Sequence, residues 1–195
     1  MCGAQVICFD QEPAISSPLV MYDAIRGYKT KAYGNLGNVT LGDTGLLADL
    51  LIVKPIAKRY SIGVVPHLWH LNNPVLLDLL ERQPDIKLID VRLNPVQVIT
   101  QIAKCDFIYS SSLHGLIVAD SLGVPNQWVQ FDVPLFGGTW KFKDYYSVFG
   151  DAPSPVVLKH STAIVRLAPE IARDYKRTGL TNIKQDLLRA FPYAN

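Results

Sequence analysis

The chain is 195 residues long, 49% hydrophobic and 18% charged, with a formal net charge of +2. That balance fits a globular protein with a real core and excludes the basic field of a nucleic-acid-binding domain. Acidic and basic residues are mixed rather than blocked, so no charged interaction tail is present.

In chain order, Ser17–Arg26 has the spacing of a helix, Gly34–Asp43 is glycine-rich, and Leu46–Val53 reads as a second helix. Tyr60–Pro66 is a short buried strand running into a loop at His67–His70. Asn73–Glu81 has helical spacing, with Asn73 as N-cap and Pro74 at the first helical position. Ile86–Asp90 is a second strand, and Asn94–Ala103 repeats the Asn-Pro helix start. Cys105–Ser110 is a third strand, Leu113–Leu122 a third helix, and Asn126–Val129 a fourth strand. Residues 131–150 begin as a loop and finish as a short helix. Asp151–Pro155 is a linker, and Ser161–Tyr193 reads as two helices broken near Gly179.

Short strands alternating with helices of about ten residues define βαβ units. The expected fold is α/β, a Rossmann-like parallel sheet with helices on both faces. The expected division is a connector or remnant of a first domain over 1–55, a ligand-binding domain over 56–150, and C-terminal helices over 151–195. Ligands of such sheets bind beyond the C-terminal ends of the strands. Both His67 and the serine cluster Ser110-Ser111-Ser112 fall on that edge. The serines precede a helix whose N-terminal N–H groups and dipole favour an anion. His114 lies in the first turn, suited to proton transfer near neutral pH, and Gly115 permits close approach of a ligand or another backbone. Taken singly, Ser111 or Ser112 reads as a plain N-cap, and His114 more readily as a satisfied, partly buried histidine than as a functional one. Their combination favours a site. The serines lack the flanking glycines of a nucleophile elbow, which argues against a serine hydrolase.

Cys2, Cys8 and Cys105 form no paired motif, which fits a reducing compartment without disulfide or zinc site. Residues 1–10 carry no basic segment and no long apolar stretch, and no run reaches the length of a membrane span. A soluble, cytoplasmic protein is expected, with no required metal or cofactor.

The sequence Ser110-Ser-Ser-Leu-His-Gly-Leu-Ile-Val-Ala-Asp120, followed by Gly123-Val-Pro125, resembles the signature of polysaccharide pyruvyltransferases. Ala24-Ile-Arg-Gly27 with Thr30, Leu41–Leu47, Ile62–His67 and Lys141–Tyr145 are similar to further segments of that family, in the same order. The resemblance implies two Rossmann-like domains in a GT-B-like arrangement, of which this chain would hold the second and the tail of the first. It implies transfer of pyruvate from phosphoenolpyruvate to a sugar of an exopolysaccharide or cell-wall glycan, forming a ketal. His114 would be the catalytic acid–base. Ser110, Ser111, Ser112, Gly115, His67, Arg26 and Lys141 would bind substrate, and the chain would be either a truncated product or a half-enzyme for which a partner chain supplies the missing domain. Many family members carry Arg immediately before Leu-His-Gly, where this chain has Ser112. Arg26, Arg92 and Lys141 are the candidate replacement cations. Trp69, Trp128, Trp140, Tyr145 and Tyr146 are the aromatic residues that could stack on carbohydrate; of these Trp128 reads as core, in a strand, and Trp140, beside Gly137-Gly138, as a surface platform. The competing readings are a GT-B-type glycosyltransferase using a nucleotide sugar, and a catalytically incomplete module that binds a glycan or a partner.

Overall fold

The computed structural model describes residues 6–7, 22–131, 138–150, 152–160, 162 and 164–191. They form two compact units, one drawn from residues within 1–46, 136–153 and 177–195, the other from residues within 47–135 and 154–176.

The first unit opens with three two-residue strands, β1 (Val6–Ile7), β2 (Ala24–Ile25) and β3 (Thr40–Leu41), paired in parallel in that order. Helix α1 (Tyr28–Tyr33) connects β2 to β3. The helix expected over Ser17–Arg26 is therefore corrected in its described part. Ala24 and Ile25 are fully buried between two neighbouring strands, and this pairing overrides local helical spacing. Residues 17–21 lie outside the described residues. The helix expected over Leu46–Val53 forms as a 3₁₀ run over Thr44–Leu51. Asp43 opens it, its carboxylate accepting the Gly45 N–H at 2.9 Å.

The second unit is built on β4 (Tyr60–Val65), β5 (Lys87–Leu88), β6 (Cys105–Ser110) and β7 (Asn126–Gln130). Their crossovers carry α2 (Pro74–Arg82), α3 (Pro95–Ala103) and α4 (Leu113–Ser121). Both Asn-Pro starts behave as the sequence predicts. The Asn73 side-chain oxygen accepts from the N–H groups of Val75 (2.9 Å) and Leu76 (3.4 Å), and that of Asn94 accepts from Val96 (3.0 Å). Further along, α5 (Trp140–Tyr146) belongs to the first unit. Strand β8 (Val156–Val157) and helix α6 (Ile164–Arg173) return to the second unit, and α7 (Leu180–Ala190) completes the first. The break before α7 is Gly179, at φ +80.

The second unit's sheet is wholly parallel, in the order β5-β4-β6-β7-β8. It is a Rossmann-like sheet flanked by helices. Strand alternation sorts its two faces: Ile62, Val64, Phe107 and Tyr109 pack with Val75, Leu76 and Leu79 of α2 and Ala168 of α6. Val65 and Ile108 pack on the other side with Ile102 of α3 and Ala119 of α4. Strand β8 follows the proline-punctuated linker and has too few residues to show alternation in the sequence. In the first unit, α7 lies on β3, its Ile183 and Leu187 so close to Gly42 that a Cβ there would sit 2.7 and 3.0 Å from them. Among the described residues, no helix is long and apolar enough to cross a membrane.

Candidate functional site

Strand order in the second unit reverses between β4 and β6: from β4 the chain moves outward to β5, then returns to β6 on the opposite side. The crevice beyond the C-terminal ends of two such strands is where doubly wound sheets bind ligands. The segment after β4 is His67–His70, and the segment after β6 is Ser111–Ser112 leading into α4. The structure thus brings His67, the three serines, His114 and Gly115 to one rim.

The Ser111 hydroxyl joins the two segments. Its oxygen accepts the backbone N–H of His67 at 3.0 Å and lies 2.9 Å from Nδ1 of His70. The Ser111 hydroxyl therefore contacts both ends of the His67–His70 turn. His70 is buried, its ring edge-on to Phe131 with centroids 4.8 Å apart. Sequence reasoning passed over His70; the signal was the paired spacing of His67-Leu-Trp-His70 beside a serine-rich turn. Ser110 is also buried, its hydroxyl lying 2.8 Å from the Val65 carbonyl and 2.7 Å from the Ser112 carbonyl, and accepting the Ser112 N–H at 3.0 Å. Gly115 allows α4 to lie against this turn. A Cβ there would stand 2.4 Å from Ser110 Oγ and 2.8 Å from Val65 Cγ1, so the close neighbours at this glycine are a serine and a strand.

Ser110 and Ser111 therefore have their hydroxyls engaged within the turn, while Ser112 is half-buried and His114 exposed. Unlike the asparagines of α2 and α3, Ser112 at the N-cap of α4 makes no side-chain cap bond. The first N–H groups of α4 are left without that partner. Arg92, after β5, is paired with Asp90, Nε to Oδ1 at 2.9 Å and Nη2 to Oδ2 at 2.6 Å; this contact holds the Asp90 carboxyl below its usual range and raises the Arg92 guanidinium. Burial pushes the Cys105 thiol up to about 12 and the Tyr109 phenol upward as well, so both stay neutral.

Arg26 and Lys141 belong to the first unit, and both are buried. Arg26 Nε donates to Asp144 Oδ2 at 3.1 Å, and neither side chain has any exposed surface. The same carboxylate accepts the Thr30 N–H (2.9 Å) and the Thr30 hydroxyl (2.7 Å). Gly27 is needed beside it, because a Cβ would fall 1.9 Å from the Asp144 carbonyl oxygen. Lys141 stands one helical turn before Asp144 on α5. The segments read from the sequence around Arg26 and around Lys141 are thus one buried cluster. Of the three tryptophans, Trp128 is core, Trp140 is half-buried, and Trp69 is 63% exposed. Among the described residues, no group of three or more His, Cys, Asp or Glu side chains is placed to hold a metal ion.

The class defined by this geometry is a Rossmann-like domain with a serine–histidine turn at its topological switch point. The family model for polysaccharide pyruvyl transferase matches residues 9–129, and the chain belongs to that family. An uncharacterized protein of Acanthamoeba polyphaga mimivirus is 33% identical over 180 residues, covering 84% of this chain and 62% of that protein. The chain therefore spans less than two thirds of that relative's length. No solved structure matches it.

Proposed function

We propose that this chain contributes the donor site of a pyruvyltransferase that moves pyruvate from phosphoenolpyruvate to a sugar of an exopolysaccharide or cell-wall glycan, leaving a ketal. The observation that carries the reading is the position of Ser110–Gly115, inside the region matched by the family model and at the switch point of the sheet. An anionic donor is favoured there by the α4 N-terminus, whose N-cap side chain makes no cap bond. The Ser110 and Ser111 bonds fix that turn, so its N–H groups are oriented before the ligand arrives.

In the reaction, the methylene carbon of phosphoenolpyruvate takes a proton and becomes the methyl group. Two sugar hydroxyls bond to the central carbon and lose their protons, and phosphate leaves. His114, exposed on the first turn of α4, is the group proposed to exchange these protons, with His67 assisting from the β4 side. Ser112 and the main-chain N–H groups of α4 hold the phosphate or carboxylate. Arg26 and Lys141 act on the shape of the first unit.

Two measurements test this. Calorimetric titration with phosphoenolpyruvate is expected to show saturable binding, and ³¹P NMR in the presence of a glycan acceptor is expected to show phosphate release. His114→Ala is expected to lower turnover by about 10²- to 10⁴-fold while leaving the far-UV spectrum unchanged. Retention of a nucleoside diphosphate with indifference to phosphoenolpyruvate would instead establish a glycosyltransferase.

A further inference from the structure

The N-terminal edge of the second unit's sheet gathers cations that have no carboxylate partner. Lys58 and Arg59 stand immediately before β4, Lys87 opens β5, and Lys104 immediately precedes β6. These strands are adjacent and parallel, in the order β5-β4-β6, so their starts share one edge. Contacts across the edge draw the cations together. The Lys58 ammonium donates to the Cys105 carbonyl, and the N–H groups of Arg59 and Tyr60 donate to the Lys104 carbonyl at 2.8 and 3.1 Å. The Arg59 guanidinium and the Lys87 ammonium lie 5.5 and 5.6 Å from the centroid of the Tyr60 ring. Among the described residues, no carboxylate is ion-paired with Lys54, Lys58, Arg59, Lys87 or Lys104, whereas Arg26, Arg82, Arg92 and Arg189 each have such a partner. Glu81 near the end of α2, Asp85 after it and Asp106 on β6 are the acids along this edge, which leaves positive charge in excess. Like charges held together without partners repel, so an anion from outside the chain relieves them.

Exposed apolar side chains accompany these cations. Residues 50–60, which lead into β4, hold Lys54, Lys58 and Arg59 and no Asp or Glu. In the same stretch Leu50 and Leu51 are exposed, and Val53, at 91%, is the most exposed large apolar side chain among the described residues. Lys54 follows Val53 directly, and the chain from Val53 to Lys58 can span at most roughly 18 Å. On the flank of the edge, Lys104 lines a shallow cavity of about 300 Å³ together with the exposed Leu93 and Val96. Charge and apolarity together select the occupant. A free phosphate or a nucleic acid would satisfy the cations and leave Val53 and Leu51 in water. An apolar helix would cover those side chains and leave the cations unpaired. An anionic bilayer meets both demands, with phosphates at the level of the ammonium and guanidinium groups and an acyl boundary just beneath them. We propose that this edge, with Val53 and Leu51 beside it, docks the chain on the surface of an anionic phospholipid bilayer. The serine–histidine rim lies at the opposite, C-terminal ends of β4 and β6, so docking at this edge does not cover it. The inference is independent of the donor reading.

The test sediments the full chain with vesicles of phosphatidylcholine alone, and of phosphatidylcholine carrying phosphatidylglycerol. Saturable binding is expected to the mixed vesicles only, with release at about 0.5 M salt, where exposed charges are screened. Each Lys or Arg at such a surface is worth roughly fivefold in affinity, so Lys58→Gln combined with Arg59→Gln should weaken binding roughly 25-fold. Val53→Ser, at a side chain almost wholly in solvent, should weaken it several-fold without touching the fold. Lys143→Gln combined with Lys159→Gln removes the same charge from exposed positions away from this edge and should leave binding unchanged. Equal binding to both kinds of vesicle, or none to either, overturns the proposal. So does an equal loss in the two charge-matched double variants, which would make net charge the cause. Unchanged vesicle binding by Val53→Ser would reduce the edge to a plain anion site and overturns it as well. A chain that ignores vesicles yet retains a single-stranded oligonucleotide through Lys58 and Arg59 would be a nucleic-acid binder instead.

Discussion

Asp144 shows how a single carboxylate organises a unit. It is fully buried, and it satisfies Arg26, the Thr30 N–H and the Thr30 hydroxyl together. Removing one partner of such a buried pair leaves an uncompensated charge. Asp144→Ala is expected to cost about 3–5 kcal/mol, read as a shift of the urea midpoint. Gly27→Ala should be comparably damaging, since the new methyl has backbone in its place and no flexible side chain to displace. Cys105 and Tyr109 make an alkaline prediction. The thiol rises from its usual 9.0 to about 12 on burial, and Tyr109 shifts in the same direction from 10.0. Both folded-state values lie above the unfolded ones, so the unfolded chain loses these protons first. The stability they contribute is complete below about pH 9 and falls as pH climbs toward 12. Urea midpoints measured from pH 8 upward should decline, and Cys105→Ala should flatten that decline. These residues were only partly legible in the sequence. Cys105 was legible as an unpaired cysteine opening a strand, but Arg26 and Asp144 are 118 residues apart, and no spacing rule joins them.

At the level of elements, the rim depends on one hydroxyl that links two turns. Ser111→Ala removes the acceptor of the His67 N–H and a hydrogen-bond partner of buried His70. A loss of about 1–3 kcal/mol is expected in urea unfolding. The same variant should weaken phosphoenolpyruvate binding, because the start of α4 loses its tie to the β4 side. Elements with strong local signals were visible beforehand. Asn73-Pro74 and Asn94-Pro95 combine a side-chain acceptor with a proline that needs no hydrogen-bond partner, and each begins a helix where expected. Strands β1, β2, β3 and β8 have two residues each, too few for period-two alternation to register; β5 is as short, but it lies in the run Ile86–Asp90 between two helices with clear Asn-Pro and apolar signals. Their pairing is fixed by neighbours distant in sequence. The serine turn was legible as a candidate site because a strand end, three hydroxyls and a helix start are consecutive; the contact of His70 with it depends on the fold bringing β4 beside β6.

Over the whole chain, the βαβ rhythm from Tyr60 to Gln130 carried the parallel sheet, whereas the composition of the two units did not show in the sequence. Each unit is assembled from separated segments, and the chain passes between them after Leu46, Leu135, Pro153 and Lys176. Removing residues 177–195 should therefore disrupt the first unit, since Ile183 and Leu187 of α7 cover Gly42 at the end of β3. Limited proteolysis of that truncated chain, followed by mass spectrometry, is expected to cut rapidly within residues 22–46 and slowly within residues 60–130. Equal protection of both regions would show that α7 is dispensable.

The packing of α7 on β3 also sets a schedule for synthesis. On the ribosome, strands that emerge first cannot be covered until residues 180–190 have been made, so the first unit gains its stability after the second has been able to form. During that interval the end of β3 at Gly42 lacks the apolar cover of Ile183 and Leu187, and a pause in translation between residues 130 and 180 would lengthen that exposure.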